Sequence, residues 1–193
     1  VQADVDAAVS AASAALGRDD WAGTSGAERA GYIDALSDAM KSRAMDLANC
    51  AVAEIAAPIS FSKGQVAMAR MTLKFYAQLA RDFVFEEQRK GYFGSVIVRK
   101  EPVGVVAAIV PFNGPLFAAM LKLGPALASG STVVLKVPME TPLFSYVLAE
   151  CIVAAGFPAG VINILPADRE VSEYLVDHAD VSMVSITGSV VAG

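Results

Sequence analysis

One asparagine in this sequence stands where catalytic and ligand-binding side chains commonly lie. Asn113 follows the apolar run 103–110 within a Pro-Phe-Asn-Gly-Pro turn, and Pro115 suits the first turn of a helix. A run that is apolar and rich in β-branched residues predicts a strand covered on both faces. Asn113 would then lie at the carboxyl end of a central parallel strand, where open α/β sheets bind ligands. Its amide N–H could stabilise negative charge on an oxygen, or the residue could serve only the turn.

Two further candidate positions follow strands of the same kind. Lys136 ends the apolar run 133–135 and must reach solvent or a bound group, because burying an unpaired ammonium is costly. Gly188 and Ser189 follow the run 182–187, and free backbone N–H groups with a hydroxyl suit a pyrophosphate. A simple helix N-cap is the alternative, since the glycine spacing is not that of the standard dinucleotide fingerprint.

The remaining reactive residue types predict structural roles. Cys50 and Cys151 are the only cysteines, and each lies in an apolar helical pattern, which favours free thiols in a reducing compartment. No cluster with metal-ligand spacing exists, so no metal is predicted. His178 is the only histidine and is predicted to cap the C-terminus of a helix. A net charge of -5 without a basic cluster argues against nucleic acid as a partner.

The elements that must position these residues alternate between strand and helix in the second half of the chain. The predicted strands are 103–110, 132–136, 161–165 and 182–187, and the predicted helices between them are 115–129, 142–155 and 169–178. This order implies an α/β fold with a right-handed, doubly wound, mostly parallel, Rossmann-like sheet.

The first half of the chain is predicted to be helical. Apolar residues recur at helical spacing over 4–16, from Ser25 until Pro58 and over 62–85, and Trp21 lies in a polar loop as core filler. Residues 91–100 alternate as in a single strand, for which a local edge strand is the plain interpretation.

Three segments follow from these patterns. Residues 1–90 are predicted to form a helical segment that packs on the rest, 91–102 a strand arm, and 103–193 a partial dinucleotide-binding domain. The uncharged stretch between Glu101 and Lys122 is long enough to suggest a membrane span, but its prolines and glycine would break a spanning helix. We therefore predict no membrane partner.

Several long motifs are similar, in order, to those of the aldehyde dehydrogenase superfamily. They are EPVGVVAAIVPFNGPL (101–116), KLGPALASGSTVVLK (122–136), AAGFPAGVINIL (154–165) and ITGSVVAG (186–193). The resemblance implies oxidation of an aldehyde to a carboxylic acid, with NAD or NADP, through a cysteine thiohemiacetal and thioester. It also implies an arm that joins subunits of a homo-oligomer, and we expect a cytoplasmic protein.

The same resemblance assigns roles to individual residues. Asn113 would be the oxyanion donor, while Phe112, Lys136, Gly188 and Ser189 would bind the cofactor. The superfamily often has a glutamate three residues after its lysine, where this sequence has Met139 followed by Glu140, so NAD versus NADP stays open.

The nucleophilic cysteine and the glutamate base of the superfamily belong to motifs beyond the Thr-Gly-Ser turn. We therefore expect a partial chain, also because it begins at Val1, and we expect this polypeptide alone to be inactive. Two alternatives stay open, namely a non-catalytic module that binds nucleotide or pairs with a partner, and a relative that passes the acyl group to coenzyme A.

Overall fold

The computed structural model describes residues 1–190 and 192, in which helices precede and then alternate with strands. The helices are α1 (Gln2–Leu16), α2 (Asp19–Ala22), α3 (Gly26–Ser42), α4 (Ala44–Ile55), α5 (Ile59–Asp82), α6 (Pro115–Ser129), α7 (Leu143–Ala154) and α8 (Arg169–Val176). The strands are β1 (Glu86–Gly91), β2 (Gly94–Arg99), β3 (Val105–Ile109), β4 (Thr132–Val137), β5 (Ile162–Pro166) and β6 (Val181–Ile186).

The main sheet is parallel and has the order β5-β4-β3-β6. The chain moves outward from β3 to β4 and β5, then crosses back through α8 to place β6 on the other side of β3. Ile109 near the end of β3 is level with both Lys136 on β4 and Ile186 on β6. The predicted α/β fold with a parallel, doubly wound sheet is therefore confirmed.

Helices cover both faces of the inner strands, which explains their largely apolar sequences. Side chains alternate along a strand, so Val105 and Ala107 contact one layer while Val106 and Ala108 contact the other. The first layer contains α1 and α8, and the second contains α6 and α7 with α3, α4 and α5 packed around them. All five residues of β3 are buried as a result.

Three details of the helices differ from the sequence prediction. The helix expected from Ser25 to Pro58 is divided at Arg43, whose guanidinium pairs with Asp46 and Glu150, so that α4 turns toward α7. Trp21 lies in the short helix α2 rather than a loop, although it is buried as predicted. The last predicted helix ends at Val176, so His178 lies beyond its cap, contrary to prediction.

The arm is a two-stranded hairpin rather than the predicted single strand. β1 pairs antiparallel with β2, and Glu86 lies opposite Arg99. The sequence of β1 is polar, Glu-Glu-Gln-Arg-Lys-Gly, and lacks the alternation that indicates a strand, which is why it was not predicted. The division at residues 90 and 102 stays a prediction. Within the described residues, no helix combines the length and apolarity needed to cross a bilayer.

Candidate functional site

The five predicted site residues line one groove at the carboxyl edge of the sheet. Phe112 and Asn113 follow β3, Lys136 lies near the end of β4, and Gly188 and Ser189 follow β6. The groove has a volume of about 520 Å³. Because β4, β3 and β6 are neighbours and parallel, the loops after all three open on the same edge.

Hydrogen bonds across the strand ends hold these loops together. The Val110 N–H donates to the carbonyl oxygen of Lys136 at 3.3 Å, and the Thr187 N–H donates to that of Ile109 at 3.0 Å. The Thr141 hydroxyl, 3.5 Å from the carbonyl oxygen of Phe112, donates to it from the loop after β4. The turn that carries Asn113 is thus tied to both neighbouring strands.

Lys136 presents a half-buried ammonium to the groove. Burial lowers the pKa of this lysine, while the carboxylates of Glu140 and Asp168 act in the opposite direction. A second groove of about 670 Å³ continues from Lys136 past Met139 and Glu140 to Asp168. Glu140, which comes four residues after Lys136 in the sequence, therefore lies in the same groove as the lysine.

Gly188 and Ser189 are exposed at the other wall of the groove. The carbonyl oxygen of Ser189 accepts a hydrogen bond from the Ala192 N–H at 3.0 Å. A helix predicted to open here would run through Val191 and Gly193, which lie outside the described residues. Its N-terminal N–H groups therefore stay a prediction.

A smaller cavity, which the sequence did not indicate, lies behind the Asn113 turn. Its volume is about 30 Å³, and α4, α5, α6 and the loop before α7 enclose it. Asn113 lines both this cavity and the groove. The amide oxygen of Gln65 is buried against the cavity without a hydrogen-bond partner among the described residues. No periodic signal distinguishes Gln65 from other polar residues of its helix.

Lys122 is a second residue that the sequence analysis missed. It is 8% exposed, and its ammonium donates to the hydroxyl of Ser185 on β6 at 3.2 Å. Burial lowers the pKa of Lys122. A signal was available, because Lys122 is the only charge in the otherwise apolar sequence of α6.

The two cysteines are not among the residues that line the groove or the cavity. Cys151 is buried, Cys50 is half-buried, and both are free thiols. Burial raises the pKa of each thiol, which disfavours the thiolate needed of a nucleophile. Neither cysteine lines the Asn113 groove.

Comparison with known proteins gives a consistent result over the whole chain. The profile of the aldehyde dehydrogenase family matches residues 1–193. Geranial dehydrogenase from Castellaniella defragrans is 42% identical over 98% of this chain and 40% of its own length. The NADP/NAD-dependent aldehyde dehydrogenase PuuC from Escherichia coli is 35% identical over 98% of this chain and 39% of its own.

A solved structure agrees with the sequence comparison. The NAD⁺ complex of aldehyde dehydrogenase from Bacillus cereus superposes with a TM-score of 0.94 at 33% identity, covering 100% of this chain and 40% of that one. The chain thus spans about two fifths of the length of the proteins it matches. With the family profile matched from end to end, the chain belongs to the aldehyde dehydrogenase family.

Proposed function

We propose that this chain supplies the oxyanion donor and the cofactor groove of an enzyme that oxidises an aldehyde to a carboxylic acid with NAD or NADP. The observation that carries the proposal is the meeting of Asn113, Lys136 and Gly188 in one groove at the carboxyl ends of neighbouring parallel strands. The PuuC relative, named NADP/NAD-dependent, and the Bacillus cereus structure, named an NAD⁺ complex, support the choice of cofactor.

Asn113 has the chemistry required of an oxyanion donor. When a cysteine thiolate adds to the aldehyde carbon, negative charge develops on the former carbonyl oxygen. A carboxamide N–H stabilises this charge without giving up its proton, a contribution worth about 3–4 kcal/mol in comparable sites. Because Cys50 and Cys151 do not line the groove, neither is the nucleophile in this proposal.

The residues of the groove fit a dinucleotide. The ammonium of Lys136 is partly desolvated, and an acceptor such as a ribose hydroxyl would compensate that cost. Gly188 and Ser189 offer backbone N–H groups and a hydroxyl to the pyrophosphate, and Phe112 lines the same wall. When bound, the nicotinamide supplies the acceptor for the hydride that leaves the substrate.

We further propose that NAD binds more tightly than NADP. Glu140 and Asp168 lie near Lys136, and their carboxylates would repel a 2′-phosphate. We expect Glu140→Gln to bring the dissociation constants for NAD and NADP closer together. Cofactor titration of the complete gene product measures both constants. Unchanged discrimination in this variant would contradict the assignment.

The proposal is tested by Asn113→Ala in the complete gene product. We expect kcat for aldehyde oxidation to fall about 10²–10³-fold, because one oxyanion donor is lost, while the dissociation constant for NAD changes little. Cys50→Ala serves as the control and should retain activity. A wild-type protein without nicotinamide-dependent oxidation, or an Asn113→Ala variant of normal rate, would overturn the proposal.

We also propose that the protein forms a homo-oligomer through the hairpin and that it is cytoplasmic. Tyr92 and Phe93 at its tip are 96% and 98% exposed, and burying such aromatic surface against a second copy would remove it from water. The free thiols fit a reducing compartment. The test compares the molecular mass of the double variant Tyr92→Ser/Phe93→Ser with that of the wild type by light scattering. An unchanged mass would show that the hairpin tip is not part of the interface.

A further inference from the structure

The turn that carries Asn113 is only loosely packed against the rest of the protein. Phe112 is 54% exposed and Asn113 is exposed as well, so burial does little to fix their positions. Pro111 restricts its own φ angle, and Pro115 begins α6 on the other side of the turn. Neither proline fixes the peptide unit between Phe112 and Asn113. A hydrogen bond to this unit therefore decides how it is oriented.

Thr141 provides that hydrogen bond. Its hydroxyl donates to the carbonyl oxygen of Phe112 across 3.5 Å, and among the described residues no other side chain bonds to residues 111–114. Thr141 is 1% exposed, and a buried hydroxyl almost always has a partner. Because a peptide unit is planar, fixing the carbonyl of Phe112 also fixes the direction of the Asn113 N–H and the position of the Asn113 Cα atom.

The loop that carries Thr141 is held at two further points. The Thr141 N–H donates to the carbonyl oxygen of Pro138 at 3.4 Å. Two residues further on, the Leu143 N–H donates to the carboxylate of Glu54 at 2.7 Å. Since Glu54 lies on α4, the loop after β4 is tied to a helix as well as to its own strand. The hydroxyl of Thr141 thus acts on the turn from a fixed point.

We propose that Thr141 is a positioning residue for aldehyde oxidation, which holds the Phe112–Asn113 peptide so that the carboxamide of Asn113 meets the aldehyde oxygen. The inference rests on the proposed function, because it assumes that Asn113 is the oxyanion donor. Such a donor is effective only at about 2.7–3.1 Å from the oxygen on which charge develops, so a small rotation of the turn weakens it. Thr141 itself does not touch the substrate in this arrangement.

The test removes the hydroxyl of Thr141 in the complete gene product. Thr141→Val keeps the shape of the side chain and lacks the hydroxyl. We expect kcat for aldehyde oxidation to fall about tenfold, less than in Asn113→Ala, because the donor is misplaced rather than removed. Thr141→Ser keeps the hydroxyl, and its kcat should stay within about twofold of the wild-type value.

The double variant Thr141→Val/Asn113→Ala separates positioning from a general structural role. Without the carboxamide there is nothing left to misplace, so its kcat should equal that of Asn113→Ala alone. A residue that only supports the fold would lower kcat in both backgrounds. A further tenfold fall in the double variant would therefore overturn the inference.

Ser145→Ala is the matched control. Ser145 is 3% exposed, and its hydroxyl donates to the carbonyl oxygen of Pro142 at 2.6 Å, so the change removes a buried hydroxyl near Thr141 without touching the turn. Its kcat should equal that of the wild type.

Three other results would overturn the inference, namely a Thr141→Val variant of wild-type rate, a Thr141→Ser variant that loses as much as Thr141→Val, and an equal loss in Ser145→Ala. Thr141→Ala removes the same hydroxyl with less bulk and replaces Thr141→Val if that variant does not fold. In each of these results the wild type oxidises aldehyde and Asn113→Ala impairs it. A wild type without this activity, or an Asn113→Ala variant of normal rate, contradicts the proposed function instead.

Discussion

The inner strands β3 and β4 and the outer strand β6 have similar apolar sequences but different surroundings. β3 is buried throughout, and Leu135 on β4 is fully buried, while Met183, Val184 and Ile186 on β6 are 49%, 36% and 40% exposed. The pairing of β3 with β4 is regular, whereas its pairing with β6 shifts register near Val105. The groove thus has one wall held by packing on both faces and another held mainly by strand pairing.

This difference bears on how the site is built. Asn113 and Lys136 extend from strands that cannot move without disturbing the core, which suits groups that must be pre-positioned. Gly188 and Ser189 extend from the less covered strand, which fewer buried side chains hold in place. The catalytic proposal therefore rests on the rigid wall.

The largest expected effect comes from truncating one side chain on each kind of strand. Leu135→Ala removes a fully buried side chain and should lower the free energy of unfolding by about 2–5 kcal/mol. Met183→Ala removes a half-exposed side chain and should cost less than about 1 kcal/mol. Urea denaturation followed by circular dichroism measures both.

The two variants should be measured under the same conditions. Their free energies of unfolding can be compared when the dependence on urea concentration is the same for both. Equal losses of stability in the two variants would contradict the proposed difference between the strands, because they would mean that β6 is as firmly packed as β4. Such a result would also remove the distinction between the walls of the groove.

Sequence predicted the inner strands, and the edge of the sheet at which the candidate site residues lie, for a physical reason. A strand covered on both faces must be apolar throughout, and the ligand edge lies at its carboxyl end, so the position of Asn113 and Lys136 could be inferred. The break at Arg43 could not, since its partner Glu150 lies far along the chain. The unpaired oxygen of Gln65 depends in the same way on four separate elements that meet only in the fold.

The smallest effect concerns the helical layer that covers the inner strands. α3 and α5 pack against each other and α5 packs on α6. Asp34 on α3 pairs with Lys74 and Arg81 on α5, at 2.8 Å and 2.5 Å. β6 itself contains no ionisable side chain, so it has no ion pair of this kind.

Burial alone would raise the pKa of Asp34, but hydrogen bonds from Lys74 and Arg81 hold it below its ordinary value of 3.8. A carboxyl with a lowered folded-state pKa stabilises the protein fully above its unfolded pKa, and this contribution is lost as pH falls through the folded value. Asp34→Asn should therefore cost about 0.5–1 kcal/mol at neutral pH. The difference from wild type should shrink toward zero on acidification.

Urea midpoints for both proteins, from neutral pH down to the lowest pH at which each stays folded, measure this convergence. Asp38→Asn is the matched control, because among the described residues Asp38 pairs with Lys74 alone, at 3.3 Å, and its side chain is 65% exposed. Its effect should be the smaller of the two at neutral pH. A difference between Asp34→Asn and wild type that persists unchanged into acid would mean that the loss arises from packing of α3 on α5 rather than from the ion pairs.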